Sequence, residues 1–356
     1  MAVAINELLD FMVESGSSDL HIVVGSPPAC RMHGAIRPLE LSELTPADTE
    51  ELMKSITSDE KQKQLREVGS ADFGFSFGAV ARFRVSVFKQ KGFISMVLRQ
   101  ISNRLLTLDE IGLPPSVAEM LHQPRGLILV TGPTGSGKSS TLASMINYIN
   151  ETRPDHIITV EDPIEFIHRH RNCIINQREV GADTKSFASA LKYALREDPD
   201  VILIGEMRDL ETIQAALTIA ETGHLVFATL HTNSAAEAIN RMIDVFPSHQ
   251  QSQVRAQLAF VLEGIVTQIL LPKIVGKGRA MAAEILVVTA AIRSLIRDDK
   301  VHQILSQMQA GKKFGMQTLN DSLYQLYVTR QVSADECVRA TGDSAEFLRM
   351  IGKGPG

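Results

Sequence analysis

Apolar side chains at the start of the chain fall at helical spacing, Ile5, Leu8, Leu9, Met12 and Val13, and Gly16 follows as a stop, so the pattern predicts an amphipathic helix. A strand over 20–24 comes next. Thr45 before Pro46, with Asp48 close behind, marks a second helix start, and 81–88 and 92–101 read as paired strands around the turn 89–91. Together these elements make a mixed α+β unit of roughly a hundred residues. Turn residues fill 105–115, and the pattern then changes to strand, turn, helix, repeated. Strands are predicted over 126–131, 157–160, 201–204 and 225–230, and helices over 138–149, 187–195 and 210–220. Wholly apolar strands alternating with helices predict a parallel sheet covered on both faces. From Ser248 onward the pattern reads as mainly helical, with 253–271, 289–297, 301–309 and 316–329 the clearest segments. The expected organisation is an N-terminal α+β domain over 1–105, with the boundary near 102–116, a linker over 106–115, and an α/β domain over 116–356 whose last part, from about 270, is helical.

Composition narrows the classes. At 356 residues, 44% hydrophobic and 22% charged, the chain is long enough for two ordinary globular cores. Its 36 basic and 41 acidic side chains leave a formal charge of −5, which gives no global field for nucleic acid, and none is expected as a partner. Cys30, Cys173 and Cys337 lie far apart without Cys-x-x-Cys spacing, so they read as small buried hydrophobes rather than a disulfide framework or zinc site. Residues 1–14 include Asn6, Glu7 and Asp10 and lack a basic region followed by an apolar one, which is not a signal peptide and predicts a cytoplasmic location. The apolar stretch 254–271 is interrupted by Arg255, Gln257, Glu263, Thr267 and Gln268, too polar for a membrane span.

The strongest chemical signal is Gly132-Pro133-Thr134-Gly135-Ser136-Gly137-Lys138-Ser139, which fits the phosphate-loop pattern between an apolar strand and a helix; Ser140 follows it. Phosphate oxygens need several backbone N–H groups converging on them, which a glycine-rich turn offers, and the helix adds its positive end. Lys138 is placed to neutralise the β and γ phosphates of ATP, and Ser139 to give a hydroxyl to Mg²⁺. Hydrolysis also needs carboxylates at neighbouring strand ends. Two sites offer them: Val201-Ile202-Leu203-Ile204-Gly205-Glu206, and Ile158-Thr159-Val160-Glu161-Asp162-Pro163-Ile164-Glu165. Each in isolation is equally a solvated strand end; beside a phosphate loop the functional reading gains weight.

His224 and His231 bracket the strand 225–230. A lone histidine is more often structural, and the alternative for His231 is a sensor of the γ-phosphate end at the carboxyl edge of the sheet. Arg82 and Arg84 alternate on one strand and Arg99 lies on its neighbour. They read either as a solvated basic face or as guanidinium groups for charge developing on the γ-phosphate.

Taken together, the loop 132–139, Glu161-Asp162-Pro163-Ile164-Glu165-Phe166, Gly205-Glu206-Met207-Arg208-Asp209 and residues 222–232 resemble the four nucleotide motifs of the secretion ATPase superfamily of type II and type IV pilus systems, in the same order. Within it, Ala291-Ile292-Arg293-Ser294-Leu295-Ile296-Arg297 is similar to the C-terminal signature of its pilus-retraction branch, and Gly16-Ser17-Ser18-Asp19-Leu20-His21 to that branch's N-terminal motif. Ser140 in place of the frequent Thr, and Ser294 and Asp298 in place of Asn and Glu, are mild departures. The resemblance implies a RecA-like P-loop NTPase domain with a mainly parallel sheet, a smaller PAS-like α+β domain before it and C-terminal helices after it. It implies a homohexameric ATPase motor that drives pilus retraction, with nucleotide between the domains. Glu165 would be the general base, Glu206 the carboxylate on the metal side, Arg84 and Arg99 the arginines reaching the nucleotide, and His231 part of the catalytic set. Residues 132–140, Glu161 and His224 would line the nucleotide site, and residues 291–297 would serve retraction rather than hydrolysis. The implied partners are an inner-membrane pilus platform protein and a second retraction ATPase, PilU, which places the chain peripherally at the cytoplasmic face of that membrane. Alternatives are an accessory retraction, extension or secretion ATPase of the same superfamily, a nucleic-acid translocase on the same core, and a scaffold that binds ATP without cleaving it.

Overall fold

The computed structural model describes residues 3–32, 34–78, 80–101, 104–275 and 278–353. The chain divides into two compact units: one runs as far as Arg104 and also takes Asp162–Ile167, and the other holds Leu105–Glu161 and the chain from His168 onward.

The first unit is one antiparallel sheet with helices against it. Strands β1 (Asp19–Ile22), β2 (Ala29–Met32), β3 (Ala35–Pro38), β4 (Ser70–Phe77), β5 (Ala81–Gln90) and β6 (Phe93–Ile101) lie in the order β3-β2-β1-β6-β5-β4. The apolar stripe of the helix Ile5–Ser15 (Leu8, Leu9 and Met12) joins Leu20, Leu52, Phe83, Val85, Val87, Met96 and Leu98 in its core. Gly16, at φ 64°, stops that helix in the left-handed conformation. The helix Pro46–Ile56 opens on a capping box between Thr45 and Asp48, worth ~1 kcal/mol. Between β5 and β6 the chain reverses over Lys91 and Gly92, at φ 50° and 85°, the two left-handed residues that a tight hairpin needs. The helix Asp59–Val68 was invisible to periodicity because it buries only Leu65.

In the second unit the strands are β7 (Gly126–Thr131), β8 (His156–Glu161), β9 (Ile174–Glu179), β10 (Val201–Ile204), β11 (Leu225–Leu230), β12 (Leu262–Pro272) and β13 (Arg279–Val287). Their order is β13-β12-β7-β11-β10-β8-β9, parallel throughout except for the β12/β13 pair. Both faces are covered. Ile128 and Val130 of β7 pack with Leu142, Met145, Ile146 and Ile149 of the helix Lys138–Thr152. Leu127 and Leu129 pack in a separate layer with Ile213, Ile239 and Leu258 of the helices Leu210–Glu221, Ala235–Asp244 and Ser248–Val261. That double burial is why β7 reads as an unbroken apolar run. The fold is the expected one: a mainly parallel α/β domain, a smaller α+β unit before it and helices after it.

Three expectations are corrected. The segment 253–271 is not one helix: Ser248–Val261 is helical, but Leu262–Pro272 is β12, and 270–287 completes a strand pair before the C-terminal helices begin with Ala290–Arg297. Inserted between β7 and β13, β12 is buried over most of its length, so it lacks the period-two signature, and only Ile265, Val266, Thr267 and Ile269, all β-branched, hinted at a strand. Residues 106–115 are not a free linker: they hold the helix Leu108–Ile111 with its own capping box, and Leu108 and Leu113 are buried in the second unit. Residues 102 and 103 of the expected boundary lie outside the described residues. Beyond β13, the helices Leu319–Val328, Ala334–Ala340 and Ser344–Met350 bury Leu323, Cys337 and Phe347 against Leu271, Ala280 and Ala282 of the β12/β13 pair. No described helix is long and apolar enough to cross a membrane.

Candidate functional site

The loop 132–137 leaves the carboxyl end of β7 and turns into the helix Lys138–Thr152. Connections from the neighbouring strands β7 and β11 run to opposite flanks of the sheet, towards β8 and β12 respectively, so the loop occupies the kind of position where open α/β sheets bind ligands. Gly132 is at φ 142°, and a Cβ there would lie 2.2 Å from the Gln268 carbonyl oxygen and 2.7 Å from Ser136 Oγ, so only glycine fits. Gly137, at φ 90°, caps the helix from the left-handed region.

The loop's carbonyl groups are turned back into the protein. Lys138 Nζ donates to Gly132 O at 2.8 Å and to Pro133 O at 3.1 Å. Gln268 Nε2 donates to Ser136 O at 2.7 Å, and an Arg279 guanidinium nitrogen to Gly135 O at 3.3 Å. In a trans peptide the N–H opposes the C=O, so holding the Pro133 and Ser136 carbonyls inward turns the Thr134 and Gly137 amides the other way. Thr134 and Gly135 are exposed, and Ser139 and Ser140 sit half-buried at the helix start. The arrangement is a concave set of amides at a helix N-terminus with an ammonium beside it, suited to a polyphosphate.

Gln268 and Arg279 hold loop carbonyls, a contact that the sequence alone does not reveal. Gln268 is 1% exposed in the middle of β12, and Arg279 begins β13. In the linear chain Gln268 is only a polar interruption of an apolar stretch. A buried glutamine in a strand interior is the signal that, with β12 assigned correctly, points to a structural hydrogen bond.

Glu206 follows β10, and His231 follows β11. His231 is the residue after Leu230, whose register partner Thr131 immediately precedes the loop. His231 Nε2 lies 3.0 Å from Glu206 Oε1, and Arg208 Nε donates to the same oxygen. Thr229 Oγ1 donates to Gly205 O at 2.5 Å and the Met207 N–H to Thr229 O at 3.1 Å, which pins the turn that carries Glu206. Glu161 ends β8, three strand spacings or ~14 Å from β7, and its Oε1 accepts from Thr159 Oγ1 at 2.7 Å and Gln177 Nε2 at 3.3 Å.

His224 is not part of this group. It precedes β11, its carbonyl accepts from the N–H of Gly126 at the start of β7, and its Nδ1 lies 3.1 Å from Ile219 O. That is the amino edge of the sheet, roughly 20 Å from the loop along the strand.

Beneath the loop, Thr131 Oγ1 and Thr267 Oγ1 are 2.8 Å apart, and Glu284, the register partner of Thr267, accepts from the Ala235 N–H at 2.7 Å. That N–H opens the helix that follows the His231 turn. Burial raises the Glu284 carboxyl above the ordinary range, against the opposing effect of the Ala235 hydrogen bond. With the folded value above the unfolded one, the site favours the protonated acid. Stability is therefore greatest below the unfolded pKa and falls as pH rises through the folded one. Glu284→Gln keeps an acceptor and removes the ionisation. It is expected to unfold at a higher temperature than the parent at alkaline pH, with the gap closing near pH ~4, measured by thermal denaturation; an equal gap at both would contradict the assignment.

Arg82, Arg84, Arg99 and Glu165 belong to the first unit. Arg84 and Arg99 are register partners on β5 and β6, Asp19 on β1 pairs with Arg99, and Arg31 on β2 pairs with Asp19, giving one transverse row. Asp19 Oδ1 accepts from Arg99 Nε at 2.8 Å, and Asp19 Oδ2 is 3.6 Å from Arg31 Nε. Burial alone would raise the Asp19 carboxyl, but hydrogen bonds from Arg99 and Ser18 and the charges of Arg99 and Arg31 outweigh it and hold it below the usual carboxylate range. Arg84 is exposed. Arg82 does not share that surface: it is 8% exposed, with Nε on Ile164 O and a second guanidinium nitrogen on Ser76 Oγ, both at 2.7 Å. Glu165 is half-buried in the segment Asp162–Ile167 of this unit. The helix Ala290–Arg297 is held through Arg293, which donates to the Ala259 and Phe260 carbonyls, each at 2.8 Å, at the end of the helix Ser248–Val261 and pairs with Glu263.

Comparison with known proteins adds a lineage. The family described as "type II/IV secretion system protein" matches residues 2–339. The chain is 49% identical over 331 residues, 93% of its length and 96% of the relative's, to the "type IV pilus retractation ATPase PilT" of Pseudomonas aeruginosa. It is 47% identical over 321 residues, 90% of this chain and 86% of the relative, to a "twitching motility protein" of Neisseria gonorrhoeae. A crystal structure of the pilus retraction motor PilT with bound ADP superposes with a TM-score of 0.91 at 50% identity, covering 98% of this chain and 99% of that one.

Proposed function

The chain belongs to the type II/IV secretion system protein family, and from that premise we propose that it is a P-loop ATPase whose hydrolysis of ATP drives retraction of a type IV pilus. The observation that carries the reading is the loop 132–139, with its carbonyls engaged by Lys138, Gln268 and Arg279 and its amides at a helix N-terminus. In this reading Lys138 exchanges its carbonyl partners for the β and γ phosphates. Glu165 orients the attacking water and takes its proton, and Arg84 and Arg99 supply positive charge for the transition state. In the same reading His231, 3.0 Å from Glu206, reports the γ-phosphate end. The Ser139 hydroxyl and the Glu206 carboxylate are hard oxygen donors of the kind Mg²⁺ prefers and would hold it here, Glu206 through water in this reading. When bound, Mg²⁺ neutralises charge on the phosphates. The chain works as a homohexamer at the cytoplasmic face of the inner membrane, against a pilus platform protein and beside a second retraction ATPase.

Steady ATP turnover by the purified protein, measured with and without single- and double-stranded DNA, together with pilus dynamics in cells lacking the chain, tests this reading. Turnover indifferent to DNA, with long static pili and no twitching in the deletion, is the expected result. Strong stimulation by DNA would favour a translocase, and normal retraction in the deletion would sink the motor assignment.

A further inference from the structure

We propose that Arg82 is the positioning residue for Glu165, holding the hydrolytic carboxylate through the peptide group from which it extends; the inference rests on Glu165 acting as the base. Strand β8 ends at Glu161 inside the second unit, and the next six residues, Asp162–Ile167, belong to the first. The bond that ties them there is specific. Arg82 Nε donates to the Ile164 carbonyl, whose peptide group is the one from which Glu165 extends, and another nitrogen of the same guanidinium donates to Ser76 Oγ on β4. A guanidinium with its donors in a planar fork fixes two acceptors at once, which an ammonium on a flexible stem does not reproduce. Arg82 is 8% exposed and Ile164 7%, so the contact is dry and a lost partner is not replaced by water without cost. With that carbonyl anchored, the orientation of the Ile164–Glu165 peptide follows the β4/β5 hairpin.

The sequence pattern alone leaves Arg82, like Arg84, open to a solvated face or to the γ-phosphate. The burial of Arg82 and its two short hydrogen bonds remove it from both and give it the positioning role. It touches no reacting atom in this account; it acts through Glu165.

The test uses the full-length protein with Arg82→Gln and Arg82→Lys, measuring kcat and KM for MgATP, nucleotide affinity by calorimetry, and amide hydrogen exchange over 162–167. Arg82→Gln is expected to lower kcat about 100-fold, the scale of misplacing a reacting group by an ångström, with KM and nucleotide affinity within about 3-fold of the parent. Exchange should speed up over 162–167 and not over 132–139, and Arg82→Lys should recover part of kcat. Wild-type kcat in Arg82→Gln, or a loss carried by KM and affinity instead, would overturn the proposal. Should Arg82→Gln fail to fold, Ser76→Ala, which releases one arm of the fork, is read the same way with a smaller kcat effect. Failure of the underlying reading is distinguishable: Glu165→Gln would then retain turnover, whatever Arg82→Gln does.

Discussion

Glu165→Gln is expected to lower steady ATP turnover by about 1,000-fold, within the range contributed by a positioned general base, while nucleotide still binds. The glutamine keeps the size and a hydrogen-bonding oxygen of the parent side chain, and the Ile164 carbonyl beside it stays on Arg82, so the turn itself should be undisturbed. What disappears is the capacity to take a proton from water. Turnover measured beside nucleotide affinity separates this from a binding defect. Undiminished turnover in Glu165→Gln would move the base elsewhere, Glu206 being the next candidate.

Lys138→Ala should do something different and equally large. The ammonium rests on the Gly132 and Pro133 carbonyls, and in the account above it moves from those neutral acceptors to the phosphates of ATP. Its removal leaves two loop carbonyls without their donor as well as a triphosphate short of one positive charge. A charged hydrogen bond contributes ~1.5–3 kcal/mol, so affinity should fall by one to two orders of magnitude, and turnover by more, because charge accumulates further in the transition state. Glu165→Gln is therefore a turnover defect with binding retained, and Lys138→Ala a defect in both.

What could be read from the linear chain was whatever is contiguous. The loop 132–139 is a local motif whose strand and helix flank it directly, and Thr45–Asp48 is a capping signal contained in four neighbours. The supports behind the loop were not readable, because Gln268 lies 132 positions from the Ser136 carbonyl it holds and its role exists only once β12 is inserted beside β7. The same burial hid β12 itself: a strand covered on both faces has no polar side to set its period, and a preceding helix makes the run look continuous. His224 and His231 look equivalent in sequence, yet a strand of six residues separates the two edges of the sheet and puts only His231 level with the loop. Arg82 and Arg84 are likewise indistinguishable by spacing. The partner that distinguishes them, the Ile164 carbonyl, lies 82 positions downstream, in the segment Asp162–Ile167 of the same unit.

The central claim is that residues 132–139 cradle the phosphates of a nucleotide, and calorimetric titration of the purified protein with MgATP, beside Lys138→Ala and Glu165→Gln, measures it most directly. Saturable binding that persists in Glu165→Gln and weakens at least tenfold in Lys138→Ala is the predicted result. No heat of binding in the parent protein, or equal affinity in the parent and Lys138→Ala, would contradict the account.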